Sequence, residues 1–223
     1  MHAWSEIADG VFVGRYEFFD QTIGLVVGDG GCLVLDTRTT YAQADELLED
    51  IRRITPHPPT VLNTHHHFDH SGGLRTYVAE GATIITHQGN REFYDQVVFH
   101  PSVRTMQSDR LSLAPRAPAF ETTNQKYVVS DGVRSLEVYT VQGLGHSQGM
   151  LIAYLPKEKL LVNADLYSPP AQGAQPPATP TAGSVVLNQN IQRLKLDVVQ
   201  HVPIHGQPGS AQQFAQIVGR GTN

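Results

Sequence analysis

The chain has 223 residues, 40% of them hydrophobic, enough apolar side chain for one substantial core, and a single domain over 1–223 is expected. Charged residues make up 17%, the formal charge is −5 and no run of Lys or Arg occurs, which argues against a nucleic-acid partner. There is no stretch of about 20 apolar residues, so no membrane partner is expected; the cytoplasm is the default location, with secretion after removal of a leader left open.

In chain order, apolar runs at Val11–Val13, Ile23–Val27 and Cys32–Leu35, broken by Gly28–Gly31, predict strands and a hairpin. The single Cys32 sits in an apolar run and reads as a buried thiol. Ala44, Leu47, Leu48 and Ile51 recur at helical spacing over Tyr41–Ile54, and Pro56, Pro58 and Pro59 stop that helix. A strand at Thr60–Asn63 leads into the histidine run 65–70, then come a helix at Leu74–Ala79, a strand at Thr83–Thr86 and a helical stretch at Gln88–Val98. Periodicity fades over His100–Asn124, which predicts an irregular insertion or a loosely helical cover over the site. Strands resume at Lys126–Val129, Arg134–Val141, Met150–Leu155 and Lys159–Val162. The proline-rich segment Ser168–Ser184 reads as a rim loop, and a helix at Asn188–Lys195, a strand at Val198–Ile204 and a helix at Ser210–Val218 close the chain. Strands followed by helix in both halves predict two packed sheets with helices outside.

His65-His66-His67-Phe68-Asp69-His70 places three histidines and an aspartate within six residues, just after a strand. First-row metals prefer that set of nitrogen and oxygen donors. In an extended segment His65 and His67 point to one side and can bind one ion, while His66 points away; Asp69 and His70, beyond a turn, can address a second ion, the alternative being a surface loop that is merely rich in histidine. His146, Asp165 and His205 are further ligand-type residues, each just beyond an apolar strand. His2, His57, His87, His100 and His201 lack such settings and read as structural or solvent-facing.

Thr64-His65-His66-His67-Phe68-Asp69-His70 resembles the HxHxDH signature of the metallo-beta-lactamase superfamily. Gly145-His146-Ser147, Asn163-Ala164-Asp165 and Pro203-Ile204-His205-Gly206 resemble its later motifs in order, and Leu35-Asp36-Thr37 resembles its opening. The resemblance implies an α/β fold, a four-layer αββα sandwich, with two divalent metal ions, usually zinc. One ion would be held by His65, His67 and His146, the other by Asp69, His70 and His205, with Asp165 bridging and Asp36 supporting a ligand from behind.

Such a centre implies a hydrolase in which a bridging hydroxide attacks a carbonyl, with Asp69 orienting it or passing a proton to the leaving group. The bridging Asp165 points toward thioester, lactone, phosphodiester and related hydrolases rather than dedicated beta-lactamases, although promiscuous beta-lactam cleavage is compatible. No Lys or Arg lies between Asp165 and Arg193, which disfavours a carboxylate-bearing or glutathione substrate. Tyr167 is a candidate hydrogen-bond donor to the substrate carbonyl oxygen. A small ester, lactone or similar carbonyl compound is the expected substrate. Phosphodiester or sulfate-ester hydrolysis and an iron-dependent redox role are the alternatives.

Overall fold

The protein is described from a computed structural model covering residues 3–100, 107–132, 134–143, 146–171 and 173–219. Its first sheet has seven strands in sequential order: β1 (Ala3–Ala8), β2 (Val11–Tyr16), β3 (Gln21–Val27), β4 (Cys32–Leu35), β5 (Pro59–Leu62), β6 (Thr83–His87) and β7 (Ala119–Thr123). β1 to β4 run antiparallel, and β4 to β7 are parallel. The second sheet contains β8 (Lys126–Ser130), β9 (Ser135–Thr140), β10 (Leu151–Leu155), β11 (Leu160–Asn163), β12 (Gln200–Pro203) and β13 (Gly209–Ser210), ordered from β13 back to β8. Among the described residues only β11 and β12 pair in parallel there.

Strand periodicity builds the layers. In β4, Leu33 and Leu35 face the second sheet, where they join Val138, Leu151, Ala153, Val162 and Val202 in the central core. Cys32 and Val34, offset by one residue, enter a second core beneath the helices on the outer side. A strand buried on both faces needs apolar residues throughout, which is why Cys32–Leu35 shows no polar alternation. A third core lies outside the second sheet, where Tyr139, Ile152 and Leu161 meet Leu187, Phe214 and Ile217. The result is the αββα order.

Among the described residues seven α-helical segments complete the fold: α1 (Tyr41–Ile54), α2 (Phe68–Ser71), α3 (Leu74–Ala79), α4 (Arg91–Phe93), α5 (Arg110–Leu113), α6 (Ala182–Leu194) and α7 (Ala211–Val218). α1 starts at Thr40, whose hydroxyl accepts from the Gln43 amide, and it ends at Thr55, held extended by Pro56. α7 opens with a reciprocal box between Ser210 and Gln213. No helix among the described residues is long and apolar enough to cross a membrane.

Several boundaries differ from expectation. Residues 101–106 of the predicted irregular cover lie outside the described residues, but its later part holds α5 and the edge strand β7, parallel to β6. β7 is largely exposed and preceded by Pro115 and Pro118, so apolar alternation gives it no signature. α6 starts six residues earlier than predicted, because Thr181 after Pro180 caps it through the Ser184 amide. Gln88–Val98 is a succession of a 3₁₀ turn, α4 and a π turn rather than one helix.

Candidate metal centre

Parallel pairing of β4 with β5, and of β11 with β12, brings four strand ends to one edge of the sandwich. From that edge Asp36 leaves β4, Asn63 to His70 leave β5, Asp165 leaves β11 and His205 leaves β12. His146 arrives on the loop after β9, whose neighbours Leu144 and Gly145 are outside the described residues. Asp36 and Asp165 both adopt left-handed backbone, at φ 64° and 58°, which turns the chain sharply at the strand end. The two sheets are tied together here: the Leu151 amide donates to the Thr64 carbonyl at 2.8 Å, and the Thr22 amide to the Ile204 carbonyl at 2.7 Å.

The histidine loop is held down by close packing. A Cβ on Gly73 would lie 2.3 Å from the Thr37 carbonyl oxygen and 2.4 Å from the Ala44 methyl, so only glycine lets α2 and α3 press onto the exit of β4. The Thr37 amide and hydroxyl both donate to the His70 carbonyl.

Asp36 organises what lies behind the histidines. Its Oδ1 accepts from the Thr64 amide at 2.7 Å and the Asn63 side chain at 3.2 Å, and its Oδ2 accepts from the Thr64 hydroxyl at 2.7 Å and faces His70 Nδ1 at 2.8 Å. His70 Nδ1 therefore carries hydrogen, and Nε2 presents its lone pair forward. The Thr64 hydroxyl spends its hydrogen on Asp36, so it accepts from His65 Nδ1 at 3.1 Å, which fixes the same tautomer. His205 Nδ1 donates to the Phe19 carbonyl at 2.8 Å, again leaving Nε2 bare.

The bare atoms converge. His65, His67, His146 and Asp165 form one group of four donors, and Asp69, His70 and His205 a second group of three. Asp165 Oδ2 lies 3.2 Å from His65 Nε2, 3.0 Å from His146 Nε2 and 3.3 Å from His70 Nε2, between the two groups. His205 Nε2 is 3.2 Å from Asp69 Oδ2, 3.3 Å from His70 Nε2 and 3.4 Å from Asp165 Oδ1. Donors placed tetrahedrally around an ion with bonds of about 2.05 Å stand about 3.3 Å apart. Among the described residues His65 Nε2 is buried without a hydrogen-bond partner, because the oxygen facing it is also an acceptor. Lone pairs facing lone pairs at these separations fit a cation, and the donor set fits a divalent one.

Electrostatics agree. Without an ion, burial opposes protonation of His70, yet Asp36, Asp165 and Asp69 hold it well above the ordinary imidazole value, so a proton on Nε2 takes the place a cation would fill. Burial opposes ionisation of Asp69, yet the hydrogen bond from His70 and its charge bring the carboxyl down to about 2. Asp165, despite burial, is held far below the carboxylate range by His65 and His70. Burial lowers His65. The centre draws positive charge.

All seven residues singled out as ligands thus come together at one edge, with Asp36 behind His70. Tyr167 is placed elsewhere: it packs in the third core against His201 and Phe214, with its hydroxyl buried and unpartnered among the described residues. There the side chain packs against Phe214 of α7. His66 does point away from the bare donors. Asn63 and Asn90, buried beside the site, carried no sequence signal because isolated asparagines read as turn residues.

A sequence profile of the metallo-beta-lactamase superfamily matches residues 16–207. The chain belongs to the metallo-beta-lactamase superfamily. Among its described residues it carries a candidate His/Asp metal centre. Among curated proteins it is similar to the acyl-coenzyme A thioesterase MBLAC2 of Gallus gallus, 26% identical over 183 residues, spanning 74% of this chain and 65% of that relative, just under two thirds of its length. Among solved structures it is similar to a metallo-beta-lactamase from Pontibacter korlensis (TM-score 0.71, 20% identity, 99% of this chain and 98% of that one). It is also similar to TMB-1 (TM-score 0.68, 18% identity, 97% and 94%). At these identities the superfamily structures speak to the fold.

Proposed function

We propose that the protein is a binuclear metal-dependent hydrolase of small, mostly uncharged ester, thioester or lactone substrates. The observation that carries this reading is the position of Asp165 Oδ2 between two groups of bare donors. The residues fit zinc: His65, His67 and His146 would hold one ion, Asp69, His70 and His205 the other, with Asp165 shared. Bound there, two such ions supply Lewis acidity and a water deprotonated near neutral pH.

The chain's own groups do the rest. Asp69 and Asp165 contribute only two negative charges against two divalent ions, so the site favours the developing oxyanion of an attacked carbonyl. Asp69, a carboxylate at neutral pH, would accept a proton and deliver it to the leaving group. The ion pairs of Asp69 and Asp165 among the described residues are all with histidine, so no Lys or Arg in them offers to anchor a substrate carboxylate. Phe18, Phe19 and Phe68, 50%, 51% and 63% exposed, form a contiguous aromatic face. This face adjoins the ligands, since the Phe19 carbonyl receives His205 and Phe68 sits between His67 and Asp69. It suits an apolar acyl or aryl group. The thioesterase named for the chicken relative makes thioesters a natural member of the class.

The test is a hydrolysis panel of aryl esters, acyl thioesters, lactones, beta-lactams and phosphodiesters on zinc-loaded protein, with and without chelator. Chelator-sensitive turnover of an ester, thioester or lactone is expected. Turnover confined to phosphodiesters or to beta-lactams would overturn the substrate class, and chelator-insensitive turnover the metal.

A further inference from the structure

His66 is the one histidine of the run that is not aimed at the donor groups, and its surroundings give it different work. Its Nδ1 lies 3.3 Å from Asn90 Oδ1 and 3.4 Å from the Ser147 hydroxyl. Asn90 is buried at the turn after β6, and its amide nitrogen donates to the Gly149 carbonyl at 3.1 Å. A carbonyl can only accept, so the amide nitrogen of Asn90 must face Gly149 and its oxygen must face His66. His66 Nδ1 is consequently the donor.

This chain of bonds links three segments distant in sequence: the loop carrying His65 and His67, the turn after β6, and the loop carrying His146. Gly149 is pinned at the same place. A Cβ there would meet His87 Nδ1 at 2.5 Å and Asn90 Oδ1 at 3.2 Å, and its φ is 73°. The His146 loop can seat only where a glycine meets this turn. His146 itself is 38% exposed, against 0% for His65, so burial holds it less firmly. By contrast the Asp69–His70–His205 group is supported from Asp36 and the Phe19 carbonyl, with no bond to Asn90 among the described residues.

We infer that His66 and Asn90 are positioning residues for one half of the centre: they clamp the His146 loop against the His65–His67 loop and so set the affinity of that half, not the other, for its ion. This rests on the reading that the seven residues hold two ions.

The test is a zinc titration of metal-stripped full-length protein against a chromophoric chelator, which resolves the two ions without any turnover assay. Two ions per wild-type chain are expected; none would sink the metal centre itself rather than the clamp. His66→Ala and Asn90→Ala should each weaken one ion about 10- to 100-fold, the usual effect of removing a group that orients a ligand, and leave the other within about twofold. His66→Asn should bind like wild type, because its amide N–H takes the place of Nδ1–H. In a His146→Ala background, where that half has already lost the ligand the clamp would hold, His66→Ala should add nothing. Equal weakening of both ions, no weakening of either, an Asn variant no better than Ala, or additive losses in the His146→Ala background would each overturn the clamp. Should buried Asn90→Ala fail to fold by circular dichroism, the partly exposed His66 pair still decides the matter.

Discussion

Asp36 Oδ2 and His70 Nδ1 face each other at 2.8 Å, both residues fully buried, and this contact decides which nitrogen of His70 is offered to a cation. Asp36→Asn presents an amide that cannot serve both Thr64 and His70 as an acceptor. The expected outcome is loss of affinity for the ion of the Asp69–His70–His205 group by about 10- to 100-fold, with a parallel fall in kcat. Metal content by elemental analysis, beside turnover, checks it; unchanged metal content would refute the support role.

Asp69→Asn removes a carboxylate held ionised by His70 while keeping its size and its backbone bond from Gln21. Turnover should fall by about 100-fold or more, with the circular dichroism spectrum unchanged. Full activity in this variant would remove Asp69 from the chemistry.

Phe68 stands 63% exposed with its ring 6.1 Å from that of Phe19. Phe68→Ala should raise KM for substrates with a long acyl or aryl group by about tenfold, and for the acetyl homologue much less. A chain-length series of esters measures this, and an equal effect across the series would mean that the aromatic face does not contact substrate.

His201 is fully buried in β12 with both ring nitrogens unpartnered among the described residues, packed on Tyr167 and Phe214. Burial lowers its pKa from 6.5 to about 4. The unfolded chain thus binds a proton at a pH where the folded chain does not, and stability falls as pH drops from about 6.5 to 4, by about 3 kcal/mol in all. His201→Leu should abolish this share of the acid sensitivity. Urea unfolding of both proteins between pH 7.5 and 4 is the check, and parallel stability curves would contradict it.

Much of the fold is legible in the chain because its signals are local. The apolar run Cys32–Leu35, the helical spacing of Ala44, Leu47, Leu48 and Ile51, and the prolines after Ile54 each speak for a few neighbouring residues. β7 is not legible, since a short, exposed edge strand owes its place to pairing with β6 and carries no pattern of its own. The start of α6 was hidden by proline-rich composition, which masks the cap at Thr181.

For the candidate centre, the sequence by itself determined the donors: the density of His and Asp after a strand, and the motif order through His146, Asp165 and His205, name all seven. Only the tertiary structure decided their roles. Whether a histidine presents Nδ1 or Nε2 depends on what stands behind it, and for His65, His70 and His205 that is Thr64, Asp36 and the Phe19 carbonyl, brought there by chain packing. The same packing sends Tyr167 into the core and gives His66 to Asn90 and Ser147. Side-chain identity is written residue by residue, whereas the direction of a lone pair is a property of the contacts the fold makes.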